Sequence, residues 1–145
     1  MRTTFIIIFM AFSFFKVFSQ KIVSPVKWNF EIVQGLDHNY KILATATIDK
    51  GWVLYSQFTS DEGPIPTSFS VQNEDVTFVE DTEVIKEMDE VFEVEVLKFK
   101  KEAKFSYSLP DIGQDHISGY VVYMTCDGAR CLPPVKAEFN FNLRN

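Results

Sequence analysis

Beyond residue 26, apolar and polar positions alternate in short runs separated by turn-forming residues. Trp28, Phe30 and Ile32 fall on one face of a first strand, and Tyr40, Ile42, Ala44, Ala46 and Ile48 on one face of a second. Asp49-Lys50-Gly51 is a turn signal, and residues 52–58 form the next extended run. Residues 61–66 contain Gly63, Pro64 and Pro66, which cannot sustain a hydrogen-bonded ladder, so a loop is expected there. Further strands are predicted over 68–71, 76–79, 92–97, 104–109, 117–125 and 135–143; in the last, Val135, Ala137, Phe139, Phe141 and Leu143 alternate with polar partners. The best helical candidate, 83–90, is short and rich in acid, and carries no convincing amphipathic stripe. The pattern predicts an all-β protein, an antiparallel immunoglobulin-like β-sandwich. Fifteen phenylalanines suit a core filled from two facing sheets.

The amino terminus breaks this pattern. Arg2 precedes an apolar stretch over 5–15, followed by Val17-Phe18-Ser19, the arrangement of a secretory signal peptide covering residues 1–19. The stretch is about half the roughly 20 residues that span a membrane. Lys16 just before the cut leaves an uncleaved anchor as the alternative. With no cysteine near the cut, lipid attachment is not expected. Loss of 1–19 would remove Arg2 and Lys16 but no acid, deepening the formal charge from −6 to −8 and arguing against nucleic acid as a partner. Residues 20–145 suit one domain with a real core. The expected location is an oxidising exported compartment, the periplasm.

In that compartment the two cysteines, Cys126 and Cys131, carry the chemistry. They flank Asp127-Gly128-Ala129-Arg130, the predicted connection between the last two strands. Residues facing one another across antiparallel strands lie about 4.5 to 5.5 Å apart at Cα, close enough for a disulfide. So short a ring stabilises by only about 2 kcal/mol through loop closure. On spacing alone, a passive staple and a redox pair stand level. Pro133 and Pro134 should keep the following segment out of regular pairing and near the surface. Metal binding is a weaker option. Two thiolates are half a zinc site, His38 and His116 have no ligand spacing to them, and only a soft copper(I) site with Met124 would use the residues at hand.

Four segments in order, Trp52-Val53-Leu54-Tyr55-Ser56-Gln57, Glu62-Gly63-Pro64-Ile65-Pro66-Thr67, Asp89-Glu90-Val91-Phe92, and Tyr123-Met124-Thr125-Cys126 through Cys131-Leu132-Pro133-Pro134, resemble the N-terminal periplasmic domain of the thiol:disulfide interchange protein DsbD. The resemblance implies an immunoglobulin-like domain whose cysteine pair receives electrons and passes them to periplasmic proteins of the thioredoxin fold or to disulfide isomerases. It implies that Cys131 forms the mixed disulfide and Cys126 resolves it, without a cofactor. It further implies a cap loop over Asp89, Glu90, Val91 and Phe92, with Phe92 covering the sulfurs and Tyr55 and Tyr123 lining the site. Core or sheet packing is the simpler role for either tyrosine, and ordinary strand packing is the alternative for Phe92.

Arg130 beside Cys131 favours a thiolate, whereas Asp127, Asp89 and Glu90 oppose it. Many members of the family have one more residue between the cysteines than the four here. The chain ends at Asn145 without the membrane and thioredoxin-like domains that usually follow, which implies a free-standing monomeric version served by a separate membrane electron donor. The expected function is thiol:disulfide exchange. The contrasting reading is a binding module whose disulfide is purely structural.

Overall fold

The computed structural model describes residues 23–35, 39–109 and 113–143; the expected signal segment 1–19 and His38 lie outside the described residues. Twelve strands follow one another: β1 (Val26–Gln34), β2 (Tyr40–Ile48), β3 (Val53–Tyr55), β4 (Ser68–Val71), β5 (Glu74–Val76), β6 (Val79–Glu80), β7 (Ile85–Asp89), β8 (Val94–Phe99), β9 (Glu102–Leu109), β10 (His116–Tyr123), β11 (Thr125–Cys126) and β12 (Val135–Asn142). They form three antiparallel sheets, ordered β1-β2-β9-β6, β12-β10-β4-β5 and β11-β3-β8-β7. The architecture is the expected all-β, immunoglobulin-like sandwich.

The first two sheets face each other across the main core. The alternation along β1 and β2 sends Val26, Ile42, Ala44, Ala46 and Ile48 inward, where they meet Phe69, Val71, Ile117, Val121 and Phe139 from the opposing sheet. Small residues on β2 leave room for large rings. Trp28 lies within 6 Å, centroid to centroid, of Phe30, Phe69 and Tyr123, and Phe69 stacks on Phe78 at 4.0 Å.

The third sheet packs one of its faces into the main core. Its side chains divide by strict alternation. Leu54 and its cross-strand partner Phe99 point into the main core, whereas Val53, Tyr55 and Val96 point the other way, onto a second and smaller apolar cluster.

Predicted and observed elements differ in several places. The run 52–58 is a strand only over β3, because the chain turns at Ser56, whose amide still bonds the Leu97 carbonyl while its hydroxyl donates to the Glu80 carboxylate at 2.9 Å. The run 76–79 divides between β5 and β6, in different sheets. Phe78 crosses between them with its backbone held by the Gln57 side chain, which accepts from the Phe78 amide at 3.0 Å and donates to its carbonyl at 2.9 Å. Within the acidic segment 83–90 lies a strand, β7, an edge strand exposed along most of its length, so no apolar alternation announces it.

Candidate functional site

The path of the chain from β10 into β11 places the cysteines. Through β10, Ile117, Val121 and Tyr123 face the main core; after Tyr123 the chain leaves the second sheet and joins the third, where Thr125 pairs with Leu54 and Cys126 with Val53. The Thr125 hydroxyl donates to the Val53 carbonyl at 2.7 Å and locks the crossing. Cys126 therefore shares a face with Val53 and Tyr55, the face turned away from the main core.

Cys126 and Cys131 form a disulfide, with Cα atoms 4.0 Å apart, somewhat closer than facing strand positions usually lie. They meet as an isolated antiparallel bridge closed by the Asp127 amide to the Arg130 carbonyl at 3.0 Å. Within this turn Gly128 takes a positive φ of 84°, a conformation open to glycine at little cost. The Asp127 carboxylate accepts from the amides of Ala129 and Arg130, and these bonds with the Arg130 guanidinium hold its pKa below the ordinary carboxylate value. Arg130 bonds Asp127 at 3.3 Å and lies over the Trp52 ring at 5.8 Å, so its charge is shared rather than aimed solely at Cys131. Pro133 and Pro134 are exposed and outside any strand, as expected.

The two sulfurs are not equivalent. Cys126 is 1% exposed and belongs to the floor of the small cluster with Val53, Tyr55 and Val96, whereas Cys131 is partly exposed and packs against that floor from outside. Phe92, Val94 and Met124 also pack against this cluster. Phe92 does not lie in a strand but in the four-residue turn between β7 and β8, so it reaches the cluster as a loop residue. Beside it, Gly63 brings the 61–66 loop so close that a Cβ there would sit 2.7 Å from Val94 Cγ2. The neighbouring Ile65 amide donates to Met124 Sδ at 3.4 Å.

Asp89 organises this turn. One carboxylate oxygen accepts from the Tyr55 hydroxyl at 2.8 Å; the other accepts from the amides of Val91 and Phe92 at 3.0 and 3.2 Å. The Glu93 amide closes the turn on the Asp89 carbonyl, with Glu93 at a φ of 57°. Burial disfavours the charged carboxylate, but Tyr55, the two amides and Lys98 together outweigh it and hold the Asp89 pKa below the ordinary value. Burial first, then the Asp89 carboxylate, pushes the Tyr55 hydroxyl well above its usual range, so it stays a neutral donor.

Of the residues singled out in the sequence, Cys126, Cys131, Tyr55, Asp89 and Phe92 converge here. Glu90 is exposed at the rim of a cleft of about 200 Å3 that also borders Cys126, Tyr55 and Asp89. Tyr123, expected beside the pair, instead belongs to the main core with Trp28, because the chain changes sheets one residue later. The apolar floor of Val53 and Val96, and Gly63 behind the turn, escaped sequence reasoning as site residues. Their face becomes visible only once β3 and β8 are paired in register.

No family model and no curated protein sequence matches the chain. Solved structures do. The N-terminal periplasmic domain of ScsB from Proteus mirabilis superposes with a TM-score of 0.67 at 15% identity, over 83% of this chain and 47% of that one, so the chain spans about half the length of that structure. The reduced DsbD N-terminal domain of Neisseria meningitidis gives 0.58 at 16% identity, over 79% and 84% of the two chains. The same bacterium's DsbD N-terminal domain, in its complex with the PilB N-terminal domain, gives 0.53 at 15% identity, over 78% and 80%. Built independently from its strands and its disulfide, the chain has the fold of the DsbD N-terminal domain.

Proposed function

We propose that the protein is a periplasmic dithiol carrier that exchanges disulfides with protein partners through Cys126 and Cys131. The observation that carries this reading is the asymmetry of the pair: Cys126 is buried on an apolar floor, Cys131 is partly exposed, and Phe92, on a hydrogen-bonded turn, packs against the same cluster. A staple needs no cover. An electron carrier does, because an open dithiol would be oxidised by any passing disulfide.

In the reduced protein the Cys131 thiolate attacks a partner disulfide, expelling one partner thiolate and forming a mixed disulfide. Cys126, on losing its proton, attacks the Cys131 sulfur and expels the second partner thiolate. The partner gains two electrons and two protons, and Cys126–Cys131 is left oxidised. A separate dithiol protein then restores the thiols by the reverse sequence. The buried position of Cys126 suits the resolving role, since only an intramolecular target needs to reach it. The partners best suited are proteins of the thioredoxin fold, whose own cysteine pairs present an accessible sulfur, or disulfide isomerases.

The test is trapping. Cys126→Ser should accumulate a mixed disulfide at Cys131 when the exported protein is isolated under acid quench, and Cys131→Ser should accumulate none. Equal yields from both variants, or none from either, would count against the assignment and favour a binding module with a structural bridge.

A further inference from the structure

The reading above leaves open how a partner is held while its sulfur is presented. Next to the cleft at Cys126 lies a broader groove of about 650 Å3, floored by Ile48, Trp52 and Val53 and edged by Lys50, Lys100 and Lys101. The two depressions are continuous: Gly51, Val53 and Lys100 line both. Arg130, within the inter-cysteine turn, lies over the Trp52 ring and joins the groove to the disulfide.

Within the groove itself Lys50, Lys100 and Lys101 outnumber Asp49, in a chain whose formal charge is −6, whereas the adjoining cleft is lined by Glu87, Asp89, Glu90 and Asp127. Lys100 is engaged by Glu87 at 3.0 Å, but Lys50 and Lys101 are exposed and, among the described residues, pair with no carboxylate. Lys101 is fixed at the rim by its backbone: its φ is 72° and its carbonyl accepts the Ile48 amide at 2.8 Å. An apolar floor with unpaired cations at the edge is complementary to a peptide segment that carries carboxylates and an apolar side chain.

We propose that this groove, resting on the exchange function above, docks an acidic, extended segment of the thiol partner and so selects and orients that partner before Cys131 is attacked. The occupant is protein rather than a small anion. The groove is open, has an aromatic floor as well as cationic edges, and adjoins the cleft at Cys126, whose own lining of Glu87, Asp89, Glu90 and Asp127 leaves the groove as the place for an acidic segment. Electrostatic docking of this kind acts mainly on the association rate and fades with salt.

Two measurements separate docking from exchange. First, a cysteine-free peptide of alternating glutamate and leucine is titrated into the oxidised protein at low salt, and the Trp52 indole resonance is followed. The peptide should shift that resonance saturably. Its glutamine counterpart should not, nor should the acidic peptide with Lys50→Glu/Lys101→Glu protein. Lys27→Glu/Lys41→Glu, which makes the same charge change on the exposed face of β1 and β2, should retain the shift. Second, reduced protein is mixed with disulfide-linked dimers of the two peptides, each carrying one added cysteine. The acidic dimer should react about tenfold faster at low salt, an advantage lost at high salt and in the groove variant. An unshifted Trp52, or a shift equally strong in the groove variant, overturns the docking proposal whatever the exchange rates. Binding without reaction of either dimer would retain the groove and reject the exchange function instead.

Discussion

At the residue scale, Asp89 ties the turn that carries Phe92 to Tyr55. A carboxylate 6% exposed is tolerated because three donors meet it, and two of these are the amides of the turn that carries Phe92. Asp89 is thus a positioning residue whose charge holds the turn that carries Phe92. Asp89→Ala would strand the buried Tyr55 hydroxyl and free both amides, at a cost of about 2 kcal/mol. Urea denaturation should register the loss, and dithiothreitol should reduce the disulfide several-fold faster, with Asp89→Asn falling between. Because the folded pKa lies below the unfolded value of about 3.9, the contribution is fully present above that value. It is lost as pH falls through the folded pKa. The amide resonances of Val91 and Phe92 should therefore stay constant from neutrality to about pH 4 and move only in stronger acid; movement centred near pH 6 would contradict the role given to Asp89.

At the element scale, the Phe92 turn between β7 and β8 is pressed against the 61–66 loop. Gly63 lets the 61–66 loop approach Val94 and Phe92, and a methyl group there would force them apart. Gly63→Ala should lower the melting temperature by a few degrees and speed reduction by small thiols, while leaving the equilibrium between the cysteines and a redox buffer less affected than the rate. An unchanged rate would mean that the turn does not guard the sulfurs. Elements with an inward alternating face, β1, β2, β9, β10 and β12, were legible in the sequence because one face of each meets the core. β7 was not, since an edge strand exposed on both faces has no reason to alternate. Nor was the division at Phe78, which depends on a side-chain amide from Gln57 standing in for a strand. The cysteines, Asp89 and Phe92 were legible as motifs. Tyr123, brought to the site only by the resemblance, takes its alternative place in the main core, since the residue at which a strand changes sheets is not marked in the sequence.

At the scale of the whole molecule, two facing sheets enclose the main core and a third carries the disulfide. One face of that third sheet packs into the main core through Leu54 and Phe99, and the other holds Cys126, so the proposed site rests on a rigid support. The central claim is that the pair is made to be opened and closed. The most direct measurement is the equilibrium reduction potential of Cys126–Cys131 in residues 20–145, read against glutathione or dithiothreitol buffers. A carrier should fall between about −180 and −270 mV, among proteins that exchange disulfides; a value below about −300 mV would mark a structural bridge and contradict the account.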